Sequence, residues 1–217
     1  MKTNFLILGL CFSAGFNLCA QEIRYGFLGG FGITQSFWTN MPEQLADQKP
    51  YYPFASFSLN TYAGFKGKGN LGISIEPGII QKGGVDRNSS NDKSDNVRIE
   101  LLYFHAPILI NYYFGQRLSV SMGPELGYRI SVNSHFKEMI TDLSEFYDNK
   151  FELSGLVGVN YAIVENVDIG IRYSRGFTHT IKFETTSING LLIGDVNEFN
   201  QYLHCIARYK FNSKNKS

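Results

Sequence analysis

Residues 118–131 read Leu-Ser-Val-Ser-Met-Gly-Pro-Glu-Leu-Gly-Tyr-Arg-Ile-Ser, with an apolar side chain at every second position. Successive side chains of an extended strand point to opposite faces, so Leu118, Val120, Met122, Pro124, Leu126, Tyr128 and Ile130 share one face. Ser119, Ser121, Gly123, Glu125, Gly127, Arg129 and Ser131 share the other. The same period recurs at 71–82, 151–163, 167–177 and 202–211, and less sharply at 24–35, 54–65 and 98–114. These eight segments predict eight strands. The links between them alternate in length: 66–70, 115–117 and 165–166 are short, whereas 36–53, 83–97, 132–150 and 178–198 are long. Alternating short and long links are the mark of an antiparallel up-and-down barrel whose two ends lie in different surroundings.

The composition of the polar face sets which way the barrel is turned. A water-soluble barrel would show solvent an outer face of Lys, Thr and Glu. Here that face is Gly and Ser punctuated by single charged residues, which suits the narrow interior of an eight-stranded barrel. The opposite face is Leu, Ile and Val, with Tyr112, Phe114, Tyr128, Tyr161, Tyr173 and Tyr209 near strand ends, as expected of lipid contact bounded by aromatic girdles. The expected fold is therefore all-β: an eight-stranded antiparallel up-and-down transmembrane β-barrel with four long extracellular loops.

Residues 1–20 fit a signal peptide, with Lys2 ahead of an apolar stretch from Phe5 to Phe16 and a small residue, Ala20, at the cleavage position. The expected organisation is a signal peptide at 1–20, an outer-membrane barrel at 21–211 and a short polar tail at 212–217. Cleavage leaves Cys205 as the single cysteine, so no internal disulfide can form. The chain is 18% charged with 22 Gly, 18 Phe and 13 Tyr, a poor match for disorder or a coiled coil. A net charge of +1 gives no electrostatic basis for a nucleic-acid partner. Outer-membrane lipid is the expected surrounding, with a protein partner reached through the extracellular loops.

The ordering of a Gly-rich first strand, GISIEPGIIQKGG at 72–84, LLYFHAPILINYYF at 101–114, LSVSMGPELGY at 118–128 and DIGIRYSRGFT at 168–178 resembles the PorT-like outer-membrane β-barrel family of Bacteroidetes. The resemblance spans about residues 24–211. It departs at His105, where that family often carries Glu, and at the tail beyond Phe211. It implies the same barrel fold, no shared catalytic residues, and, for one branch, an accessory role in a protein secretion system.

Two constellations stand out. Glu76, His105, Glu125, Arg129, Glu152, Asp168, Arg172 and Arg208 all fall on the inward face, with Lys210 and His204 beside them, and are expected to form an ion network that fills the barrel. Phe136, Met139, Ile140, Leu143 and Tyr147 recur at spacings of three and four, predicting an apolar helical stripe in the loop at 134–147 as the partner-contact surface. The histidines lack metal-ligand spacing, no Gly-x-Ser-x-Gly motif is present, and the loop at 86–96 lacks the Gly and closing Glu of a calcium site. No cofactor, metal site or catalytic residue is expected. The function expected is a non-enzymatic, plugged barrel with a structural or protein-interaction role. The alternatives are a secretion-system accessory, a small porin and a lipid-A-modifying enzyme.

Overall fold

A computed structural model describes residues 20–40, 51–67, 69–86, 96–186 and 192–211. Nearly all of the leader, the polar tail and most of the 86–96 loop lie outside the described residues, as do the side chains of Leu192 and Ile193. Eleven strands make one antiparallel sheet: β1 (Ala20–Thr39), β2 (Phe54–Gly67), β3 (Leu71–Ile75), β4 (Gly78–Asp86), β5 (Val97–Phe114), β6 (Leu118–Phe136), β7 (Met139–Asp142), β8 (Phe151–Val164), β9 (Val167–Gly176), β10 (Ile181–Thr186) and β11 (Leu192–Phe211).

Eight positions close into a ring, because β3 and β4 follow one another between β2 and β5, and β11 pairs with both β9 and β1. Following paired residues around the ring starts at Ile33 and passes Leu203, Tyr173, Val157, Met122, Ile110, Ile73 and Phe65. It returns to β1 at Ile23, ten residues from where it began. That stagger tilts the strands by about 40° and leaves an interior just wide enough for side chains.

The predicted segment 71–82 is one ring position made of two strands. Pro77 has no N–H to give a ladder, and the chain is interrupted at Glu76 and Pro77 before resuming as β4. Pro107 lies beside this break, accepting from the Glu76 amide at 3.0 Å and pairing with Glu125 of β6. Pro124 follows, so three adjacent positions of the ring carry a proline at one level. The β5–β6 ladder is correspondingly open between its pairs Pro107–Glu125 and Ile110–Met122.

The apolar face meets the surroundings, and the polar face is enclosed. Phe31 is 67% exposed in mid-barrel, whereas Glu76 and Glu125 are fully buried. Tyr25, Tyr112, Phe114, Tyr161, Tyr209 and Phe211 ring the end with the short links, and Phe104, Tyr128, Phe151 and Phe177 ring the other. Between these girdles the outward residues of β9 from Val167 to Tyr173 and of β11 from Leu203 to Phe211 are uncharged; Arg175, exposed and stacked over Phe37, marks the outer edge.

About 9–11 residues are enough for a tilted strand to cross a membrane. β1 and β11 have 20, β6 has 19 and β5 has 18, so the sheet continues well past the outer girdle into segments expected to be loops. Two corrections follow. The alternation of β6 changes parity at Ile130, an extra residue opposite the step from Leu102 to Tyr103, so Val132 rather than Ser131 turns into the core. The stretch 134–147 is not helical: β6 runs on to Phe136, Lys137 takes a left-handed φ of 53°, and β7 folds back with Phe136 opposite Met139 and His135 opposite Ile140. Backbone pairing to an existing edge satisfies the N–H and C=O groups that a short isolated helix would leave exposed.

Candidate functional site: the barrel interior and its two mouths

Inward positions carry the chemistry because strand parity sends Gly, Ser and charged residues to one side. The inner half holds a chain of charges. Glu76 accepts from Arg172, through two nitrogens, and from Arg208 at 3.0 Å. Arg208 also reaches Asp168 at 3.4 Å, and Lys210 donates to Asp168 at 2.7 Å. The outer half is centred on Lys82, whose ammonium donates to Glu125 at 2.6 Å and to Glu152 at 2.7 Å. Tyr202 donates to Glu125, while Asn200 and Ser154 donate to Glu152 at 2.8 Å each.

Together these are four carboxylates, Glu76, Glu125, Glu152 and Asp168, against four cations, Lys82, Arg172, Arg208 and Lys210. The inner group has one cation in excess and the outer group one carboxylate, so the balance is reached only along the whole interior. Buried ions are tolerable when paired in this way and costly otherwise.

Between the two groups lie the histidines. Asn60 donates its amide to the Glu76 carbonyl at 2.7 Å and lies 2.8 Å from His105 Nε2, while His105 Nδ1 faces Glu125 at 3.5 Å. His204 lies between Ser56, at 2.9 Å, and Ser58, at 3.4 Å.

Two of the sequence-derived assignments need revision. Arg129 makes no carboxylate contact among the described residues: its guanidinium donates to the carbonyls of Asn149 and Tyr147 at 2.7 Å and of Ser144 at 3.4 Å. It fastens the 143–149 turn over the outer mouth. The predicted contact stripe divides. Tyr147 is buried, Leu143 packs on a core that includes Leu101, Tyr103, Val132, Leu156 and Ile181, Phe136 is half-buried, and Met139 and Ile140 stand exposed.

Lys82 was missed by the sequence reading. Its signal was present, since Glu76, Gly78, Ile80 and Lys82 share a parity, but the glycine pair that follows reads as the start of a loop. Gly83 is instead a strand residue at φ 128°, where an added Cβ would come within 2.1 Å of the Ile99 carbonyl oxygen. Only glycine adopts this geometry readily, and it lets β4 continue past Lys82.

Glu198 lies five residues beyond Leu203, outside the apolar belt, yet it is 1% exposed. Its Oε1 has no hydrogen-bond partner among the described residues. Burial pushes its carboxyl up to about 7 from an ordinary 4.5, against smaller opposing effects of Ser36 and Thr180. A raised folded-state value means that its contribution is fully present below about pH 4.5 and is lost as pH climbs through about 7. The loss amounts to about 3 kcal/mol. Glu198→Gln is expected to remove this dependence, so the difference in unfolding free energy between parent and variant should widen from pH 5 to pH 8 in the variant's favour. An equal difference at both values would show that Glu198 ionises freely in the fold.

Residues 19–182 match the family model described as outer membrane protein beta-barrel domain. The chain belongs to this family. It is a bacterial outer-membrane barrel. No curated protein matches the sequence. Among solved structures, Neisserial surface protein A is similar at 14% identity and a TM-score of 0.50, over 88% of this chain and all of that one. The Ail attachment invasion locus protein of Yersinia pestis, solved with the heparin analogue sucrose octasulfate, is similar at 11% identity and 0.47, over 88% of this chain and 100% of that one. OprG of Pseudomonas aeruginosa gives 13% and 0.39, over 88% and 95%. At these identities the likeness is one of fold, and the first of them agrees with the eight-stranded ring traced above.

Proposed function

We propose that this outer-membrane barrel is non-enzymatic, is closed to solutes, and contacts another protein through the hairpin formed by β6 and β7. Its resemblance to the PorT-like family supports placing it within that family. The observation that carries the interaction reading is the edge strand β7. Met139 and Ile140 are 62% and 67% exposed beyond the membrane girdle, and among the described residues β7 pairs with β6 alone. A strand with a free edge and apolar side chains is a template for pairing with a second chain. The closed interior is supported by the balanced charges and by bulky buried groups at successive levels, including Tyr103, Lys82 and Arg172.

Photocrosslinking from position 138, exposed in the turn before β7, in intact outer membrane is expected to capture a discrete protein neighbour, and Met139→Ser with Ile140→Ser to abolish that capture while the barrel still assembles. Leu143 and Tyr147 are left untouched, because they belong to the core. Unchanged crosslinks in the folded double variant would remove the interaction reading. In planar bilayers the purified protein should give no regular conductance steps. Reproducible channels altered by Arg172→Ser would replace the plug with a pore.

A further inference from the structure

The inner mouth has a chemistry of its own. An open cleft there is lined by Arg24, Lys66, Arg117, Arg208 and Lys210, with Asp168 as the only carboxylate among the described residues that line it. Asp168 is already engaged by Lys210 and Arg208. Lys66 lies over the Tyr113 ring at 4.7 Å, and Arg117 donates to the Tyr161 hydroxyl at 3.3 Å. Neither of these contacts neutralises a charge. The exposed turn residue Glu165 sits nearby on the β8–β9 link but does not line the cleft. Arg208 is 4% exposed, and its Nε has no hydrogen-bond partner among the described residues. A buried guanidinium N–H without an acceptor is costly and is a place for a ligand oxygen.

Height in the barrel narrows the ligand. Arg24 adjoins Tyr25, Lys210 lies between Tyr209 and Phe211, and Arg117 holds Tyr161, all residues of the inner aromatic girdle. Girdle aromatics sit at the level of lipid headgroups. The cations are therefore at the depth where phosphate is concentrated, and Arg with Lys is the combination that grips phosphate oxygens. We propose that the inner mouth is a binding site for an oxyanion of the phosphate class, presented either by an anionic phospholipid headgroup of the inner leaflet or as free phosphate. This site is independent of the outer hairpin.

The test uses the full barrel in nanodiscs of phosphatidylcholine, with and without phosphatidylglycerol, and in detergent with inorganic phosphate. Lys66→Gln with Arg117→Gln removes two rim cations outside the interior charge network, and Lys182→Gln with Arg98→Gln at the outer end is the control. Selective retention of phosphatidylglycerol by native mass spectrometry, reduced at least tenfold in the rim variant and unchanged in the control, identifies the lipid source. Saturable millimolar binding of inorganic phosphate with the same variant pattern and no lipid preference identifies the free ion. Absence of saturable binding to either, or binding unaffected by the rim variant, overturns the proposal.

Discussion

Lys82→Met should destabilise the barrel by about 3–5 kcal/mol, because it strands two carboxylates in a dry interior. Lys82 is 1% exposed and, among the described residues, is the sole cation within salt-bridge distance of Glu152 and the only Lys or Arg within that distance of Glu125. Methionine nearly matches its length, so the loss would be one of charge and not of volume. After the change Glu125 keeps Tyr202 and Glu152 keeps Ser154 and Asn200, all neutral donors. The decisive companion is the triple variant Lys82→Met, Glu125→Gln, Glu152→Gln, which removes the stranded charges and should recover most of the lost stability. Urea unfolding in lipid bilayers, read by the heat-modifiable shift in gel mobility, measures both. A single variant as stable as the parent would mean that the carboxylates are protonated or hydrated and that no interior ion cluster exists there.

Arg placed at Val157 or Ile171 is expected to cost about 2–4 kcal/mol and to block insertion. Both positions face outward at mid-strand, 43% and 57% exposed, and they lie on neighbouring strands, where Val157 pairs with Tyr173 and Val159 with Ile171. The same residue at Met139, exposed on β7 beyond the girdle, should leave assembly intact and change stability by less than about 0.5 kcal/mol. The contrast isolates lipid contact from the general effect of adding a charge. Normal assembly of both mid-strand variants would show that this face does not meet hydrocarbon.

Much of this architecture is legible in the sequence because strand parity is a local property. Whether Leu126 and Glu125 point apart depends only on their adjacency, so the alternation at 71–82, 118–130, 151–163, 167–177 and 202–211 identifies the lipid face, the polar interior and the inward position of Glu76, Glu125, Glu152, Asp168, Arg172 and Arg208 without any knowledge of neighbours. The same parity extends to Lys82, two residues past Ile80, but the glycine pair that follows reads as a loop, because its strand geometry depends on the carbonyl of Ile99 across the ladder.

What parity cannot supply is which residues meet. Glu76 and Arg208 are 132 residues apart and come together only because the ring closes between β11 and β1 with a ten-residue stagger. The division of the interior into one group with an excess cation and another with an excess carboxylate follows from that stagger. So does the use of Arg129, an inward cation like the others in sequence, which finds carbonyls of the 143–149 turn and, among the described residues, no carboxylate. The helical spacing at 136–147 misled for a related reason. Periodicity reports the face a segment can present, whereas the open edge of β6, created by the fold, offered this segment backbone partners that a helix could not match. The sequence alone determined a lipid-facing barrel with a charged interior. The closed ring decided how those charges pair, which mouth gathers the cations, and where the sheet leaves an apolar edge in water.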